Sequence, residues 1–229
     1  MAKDVIIALD FKNKEECLNF LDKFDEKLYV KVGLELFYSE GPQIINEIKK
    51  RGHKIFLDLK LHDIPNTVKG AANSLKNLGA DMTNLHICGG SAMIKAAREV
   101  FENSILIGVT VLTSTDEETL HREILVDKDF SLEDTVISYA KMGKKNGLDG
   151  IVCSALEVPK IKEKVGKDFL TVTPGIRLDD SSNGDQKRVV TPKYARELGS
   201  DYIVVGRPIT KSEDPLKVYK IIKKEFVGE

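Results

Sequence analysis

Residues 54–67 read KIFLDLKLHDIPNT. The run Lys54–Lys60 has the two-residue alternation of a β-strand, with Phe56, Asp58 and Lys60 on one face and Leu57, Leu59 and Leu61 on the other. The leucine face is suited to packing on helices. The other face carries two opposite charges toward the end of the strand. Pro65 then stands at the entry to a helix, where its missing N–H costs nothing. A strand that runs straight into a helix is one βα unit.

Working outward, the same unit recurs along the chain. Strands are expected at Val5–Asp10, Tyr29–Gly33, Lys54–Lys60, Met82–His86, Ile105–Val111, Gly150–Cys153, Leu170–Thr173 and Tyr202–Gly206, each followed by a helix-like segment. Asn13 with Glu16 predicts a capping box for the first helix. Thr191-Pro192 and Asp214-Pro215 are N-cap and N1 pairs for the last two. Gly79-Ala80-Asp81, Gly147-Leu148-Asp149 and Gly199-Ser200-Asp201 each end a helix and precede a strand. Glycine there permits the left-handed turn that sends the chain back, so these are structural stops rather than phosphate loops. Eight units in 229 residues leave about 29 residues each, which fits an α/β fold of the (β/α)8 TIM-barrel type with one catalytic domain over 1–229. The competing doubly wound sheet in its dinucleotide-binding form lacks a GxGxxG after any strand.

The informative residues are charges at strand ends. Asp10 ends the first strand, Lys31 lies in the second, Asp58 and Lys60 in the third, Asp63 at its turn, and His86 ends the fourth. In a βα barrel the C-terminal strand ends form the active site. His53, His62 and His121 are read as structural or solvated. Near the C-terminus, VVGRPIT (Val204–Thr210) ends the eighth strand: Gly206 lets a ligand approach the backbone, and Arg207 can grip a phosphate with two parallel hydrogen bonds. The seventh strand ends in TPGIR (Thr173–Arg177). The polar stretch Leu178–Arg188 after it, with Gln186, is a candidate lid. Gly89-Gly90 reads as a turn.

Composition narrows the function. Thirty-five Lys and Arg balance 36 Asp and Glu, which argues against a nucleic-acid partner. No run approaches the roughly 20 apolar residues of a membrane span, and the short apolar start ending at Asp10 does not read as a signal peptide. Three scattered cysteines, Cys17, Cys88 and Cys153, suggest buried reduced thiols in a cytoplasmic protein.

The longer string DLKLHDIPNT (Asp58–Thr67) resembles the signature of the orotidine 5′-phosphate decarboxylase family. The resemblance extends in order through ALD at Asp10, KVG at Lys31, VLTS at Val111–Ser114, TPGIR with Pro174, Gln186, and VGRPI at Val205–Ile209. It implies a dimeric barrel that converts orotidine monophosphate to uridine monophosphate and carbon dioxide, the last step of UMP synthesis, with no metal and no organic cofactor. It further implies that Lys60 donates the proton to C6, that Asp58 neighbours the substrate carboxylate, and that Lys31 lies between the acids and the ribose. Asp10 would contact a ribose hydroxyl. Asp63 and Thr67 would reach the partner's site, and Thr113, or Ser114 beside it, the pyrimidine. Gln186, Gly206 and Arg207 would hold the phosphate, with Arg177 in the closing loop.

These residue types suit that chemistry. Loss of carbon dioxide from C6 leaves an sp² electron pair that a preorganised ammonium stabilises and then protonates. Asp58 and Asp63 near Lys60 would keep it charged. One rival is a magnesium-dependent barrel enzyme on a sugar phosphate, with Glu35 as its candidate ligand. The other is a catalytically silent phosphosugar-binding protein, which has no need of a buried charge array.

Overall fold

The computed structural model describes residues 4–178 and 188–228. In chain order the elements are β1 (Asp4–Ala8), α1 (Lys14–Leu21), β2 (Tyr29–Val32), α2 (Leu34–Glu40), α3 (Gln43–Lys50), β3 (Lys54–Leu61), α4 (Pro65–Lys76), β4 (Met82–His86), α5 (Gly90–Arg98) and β5 (Ile105–Val109). They continue with α6 (Glu117–Arg122), α7 (Leu132–Lys145), β6 (Gly150–Val152), α8 (Val158–Lys164), β7 (Leu170–Thr173), α9 (Pro192–Glu197), β8 (Tyr202–Val205), α10 (Arg207–Thr210) and α11 (Pro215–Val227). The eight strands are parallel neighbours in sequence order and close on themselves through β1 and β8. This is the (β/α)8 barrel that the alternating pattern predicts. Several strands stop earlier than expected: β1 ends at Ala8 and β5 at Val109. The residues beyond leave the ladder for the loops at the mouth.

Side-chain alternation builds the layers. Val5 and Ile7 on β1, and Leu9 just beyond its end, pack outward with the helices, whereas Ile6 and Ala8 turn into the barrel. On β3, Ile55 and Leu57 face outward and Phe56 faces in, as its period predicts. The barrel interior is filled by Ile6, Tyr29, Phe56, Met82, Ile107 and Val172. It is a packed core, so a ligand can enter only at an end.

Helix starts follow their caps. Thr191 Oγ1 accepts the Tyr194 N–H and Asp214 Oδ1 accepts that of Lys217, with Pro192 and Pro215 in the first turns. Asn13 Oδ1 accepts the Glu16 N–H at 2.9 Å. The expected return bond differs: Glu16 meets the Asn13 side-chain amide at 3.3 Å instead of its backbone.

The three Gly-x-Asp stops have a further role. Gly79, Gly147 and Gly199 take positive φ of 72°, 94° and 91°. Each following aspartate then clamps the preceding strand and the helix before it. Asp81 accepts the Ile55 N–H at 2.8 Å and Lys49 at 3.1 Å. Asp149 accepts the Leu106 N–H and Arg98, both at 2.8 Å. Asp201 accepts the Thr171 N–H at 2.8 Å and Lys162 at 2.6 Å. These charge-assisted bonds satisfy backbone donors at strand starts that the ladder leaves open. Asp201→Ala strips the acceptor from the Thr171 N–H and the carboxylate from Lys162, which keeps only the Lys167 and Phe169 carbonyls. It is expected to lower the unfolding free energy by about 2 kcal/mol. Urea unfolding checks this, and an unchanged midpoint would contradict the clamp.

Candidate active site

At the C-terminal end of the strands, four charges alternate in sign. Lys31 on β2 places its ammonium 3.1 Å from Asp10 Oδ1 and 3.4 Å from Asp58 Oδ2. Lys60 places its own 2.7 Å from Asp58 Oδ1. The buried carboxylate of Asp58 is therefore held between two ammonium groups. Burial penalises the Asp58 carboxylate, but Lys31 and Lys60, with bonds from Lys60 and Asn84, outweigh it and hold its pKa below the usual range. Burial likewise penalises the Lys31 ammonium, yet Asp58 and Asp10 keep its pKa above the ordinary lysine value. His86, inward of His62 at 5.4 Å between ring centroids, is held below its ordinary pKa by burial, with His62 and Lys60 adding to it.

Two residues without a predicted role shape this cluster. Asn84 is fully buried on β4, donates to Asp58 Oδ1 at 2.7 Å and accepts the Lys60 N–H at 2.8 Å. Its signal in the sequence is the two-residue period of β4, which puts a polar Asn84 on the same face as the interior Met82. Gly33 follows β2, and a Cβ there would lie 2.8 Å from Lys31 Nζ. A side chain at that position would displace the ammonium from its two carboxylates.

The cluster forms one wall of a cavity of about 490 Å³. Asp10, Lys31, Asp58, Lys60 and Asn84 line it, with Ala8, Phe56, Val109, Val152 and Val204 as its apolar floor. Thr113 lines it too, and Ser114 is exposed outside the lining. Pro174, Arg177, Gly206 and Arg207 complete it. Lys211, which the sequence reading passed over, adds a further cation beside them. The two arms of the loop after β7 are stitched together: Arg177 N–H bonds Val190 O and Val190 N–H bonds Gly175 O, each at 3.0 Å. Arg188 is anchored by an ion pair to Glu157. Gln186 lies outside the described residues.

Some expectations need correction. Asp63 does not hold Lys60 within one chain: it is exposed, and its carboxylate accepts the Ile64 N–H at 2.7 Å. Thr67, expected at a partner's site and not at its own, is exposed in the first turn of α4 outside this cavity's lining. Cys88 is exposed rather than buried, its sulfur 3.8 Å from His62 Nε2. Cys17 and Cys153 are buried as expected, and burial pushes the Cys17 thiol up to about 12. His53 and His121 are structural. His53 accepts the Leu28 N–H at 3.1 Å, and His121 bridges Glu117 and the Val126 carbonyl, both at 3.1 Å. Glu35 is exposed at the start of α2, away from the cavity lining. Among the described residues, no three His, Cys, Asp or Glu side chains converge as a metal-ligand set.

Comparison with known proteins bears on this site. Residues 3–222 match the model of the Orotidine 5′-phosphate decarboxylase / HUMPS family. An orotidine 5′-phosphate decarboxylase of Bacillus mycoides is 56% identical over 237 residues, covering 100% of this chain and 99% of that protein. The crystal structure of orotidine 5′-phosphate decarboxylase from Lactobacillus acidophilus superposes with a TM-score of 0.88 at 44% identity, covering 98% of this chain and 99% of that one. An uncharacterised conserved protein of Geobacillus kaustophilus gives a TM-score of 0.87 at 46% identity, covering 97% and 99%.

The charge balance sets a titration. With Asp58→Asn, Lys31 keeps Asp10 but loses its other carboxylate partner against the same burial, and it is expected to titrate below its value in the unaltered protein. Lysine side-chain NMR across pH reads this directly. The sign for stability follows from the same shifts. The Asp58 contribution is present above the unfolded carboxylate pKa and is lost as pH falls through its lower folded value. A Lys31 titration that the substitution leaves unmoved would contradict the coupling.

Proposed function

The chain belongs to the orotidine 5′-phosphate decarboxylase / HUMPS family, and from that membership we propose that this enzyme is a carboxy-lyase of pyrimidine synthesis. It converts orotidine 5′-monophosphate to uridine 5′-monophosphate and carbon dioxide, with the barrel as its single catalytic unit. The observation that carries the reading is the Lys60–Asp58 contact of 2.7 Å, backed by Lys31, inside a cavity that also holds Arg207.

The bond from C6 to the carboxylate breaks and its electron pair stays on C6. The Lys60 ammonium faces that pair, stabilises it electrostatically, and then gives it a proton, leaving a neutral amine that solvent reprotonates. Asp58 keeps the ammonium aimed and faces the substrate carboxylate, and carbanion stabilisation is the larger effect. Lys31 bridges Asp58 to Asp10, which takes a ribose hydroxyl. Thr113 contacts the pyrimidine, and Pro174 borders it. Gly206, Arg207 and Gln186 take the phosphate, and Arg177 belongs to the closing loop. Phosphate binding lowers the barrier at a distant carbon when it drives the charged array into place.

The reaction proceeds without metal or organic cofactor. In support, both Asp58 oxygens are taken by ammonium groups, and Glu35 does not line the cavity. The working form is a homodimer in the cytoplasm. The exposed Asp63 and Thr67 of one copy complete the site of the other, which accounts for their position outside their own cavity.

Purified protein in chelator-treated buffer is expected to deplete the ultraviolet absorbance of orotidine monophosphate, and Lys60→Ala to lose turnover by about 10⁴-fold or more while still binding product. No absorbance change with enzyme in excess would refute the activity, and near-normal turnover in the variant would refute the proton donor. Arg207→Ala is expected to lower kcat/KM on orotidine monophosphate far more than on the phosphate-free nucleoside. Equal losses would remove the phosphate role.

A further inference from the structure

Between β3 and β4 the register slips. Leu57 pairs with Thr83 and Leu61 with Leu85, so four steps on β3 span two on β4. Asp58, Leu59 and Lys60 bulge out of the ladder, and Lys60 has φ of 50°, in the left-handed region. That conformation is unfavourable for a residue with a β-carbon, and the bulge also strands the Lys60 N–H.

Asn84 answers both problems with one amide. Its Oδ1 accepts the Lys60 N–H at 2.8 Å, and its Nδ2 donates to Asp58 Oδ1 at 2.7 Å, the same oxygen that Lys60 Nζ contacts at 2.7 Å. The amide orientation is fixed by its partners, since an oxygen must face the N–H and an NH₂ the carboxylate. Asn84 is fully buried, so no water competes for either bond.

Resting on the decarboxylase reading, we propose that Asn84 is a positioning residue for the reaction, locking the backbone of Lys60 and the carboxylate of Asp58 into one unit so that the ammonium is aimed before substrate arrives. The charged and titratable groups around it are Asp58 and Lys60 on β3, Lys31 on β2, and His86 two residues on, with His62 beyond. On β5 its partners across the ladder are Ile107 and, for His86, Val109, neither of which titrates. An aspartate in place of Asn84 would set two carboxylates at hydrogen-bond distance, which then share a proton.

The test compares Asn84→Ala and the isosteric Asn84→Asp with unaltered enzyme, counting active sites by titration with uridine monophosphate. Asn84→Ala is expected to lower kcat about 100-fold, the scale of a misplaced reacting group, with KM changed by less than about threefold. Asn84→Asp is expected to show kcat rising as pH falls across a range where the unaltered enzyme is flat, because the protonated carboxyl restores the bond to Asp58. A merely structural role predicts a lower melting temperature with kcat per active site and the pH profile unchanged in Asn84→Asp, and that result overturns the proposal. Absence of turnover in the unaltered enzyme would instead overturn the decarboxylase reading beneath it.

Discussion

One carboxylate between two ammonium groups governs the rest of this molecule. Alone in its buried position, Asp58 would take up a proton, and Lys31 would lose one. Together each preserves the other's charge, and their pKa values are displaced in opposite directions from their ordinary values. A buried pair of this kind is costly to assemble and more costly to break singly, because the survivor is left uncompensated. Its value is therefore best sought in chemistry. A fixed ammonium at the edge of an apolar cavity is what a developing anion requires, and it needs no rearrangement at the moment of reaction.

The barrel separates that expense from its own stability. At one end, Asp81, Asp149 and Asp201 spend their charge on strand N–H groups and on a cation from a packed helix. At the other, Asp10 and Asp58 spend theirs on lysines that face a cavity. The residue types are the same. What differs is whether the cation has a second surface exposed to a ligand. Clamps repeated on alternate strands at the closed end let the open end carry strained and desolvated groups.

Strand order and barrel closure were legible because parallel βα units leave a period that survives without any knowledge of contacts. Phe56, Asp58 and Lys60 were placed on the inner face by counting alone, and the structure puts Phe56 and Asp58 there. Nine of the residues expected at the site, from Asp10 and Lys31 to Gly206 and Arg207, line one cavity. The remainder was hidden for identifiable reasons. Counting along a strand assumes a regular ladder, so the slip between Leu57 and Leu61 could not be foreseen. The period of β4 places Asn84 on the inner face, but its bond to the Lys60 N–H follows from that slip and cannot be counted from the sequence. Asp63 lies three residues from Lys60 in sequence, yet the turn after β3 points it outward.

That slip also explains how a lysine two residues from its aspartate can pair with it so closely. On a regular strand, residues i and i+2 rise about 6.6 Å apart and project in parallel. A lysine side chain would then extend past its neighbour toward the solvent at the mouth. The left-handed turn at Lys60 re-aims its side chain, and the ammonium comes to rest 2.7 Å from Asp58. The conformational cost is on the order of 1–2 kcal/mol. It is offset by a charge-assisted bond to Asp58 and by the acceptor of the fully buried Asn84. Local strain at this one residue is thus the geometric condition for holding a cation rigid beside a carboxylate and still open to the cavity.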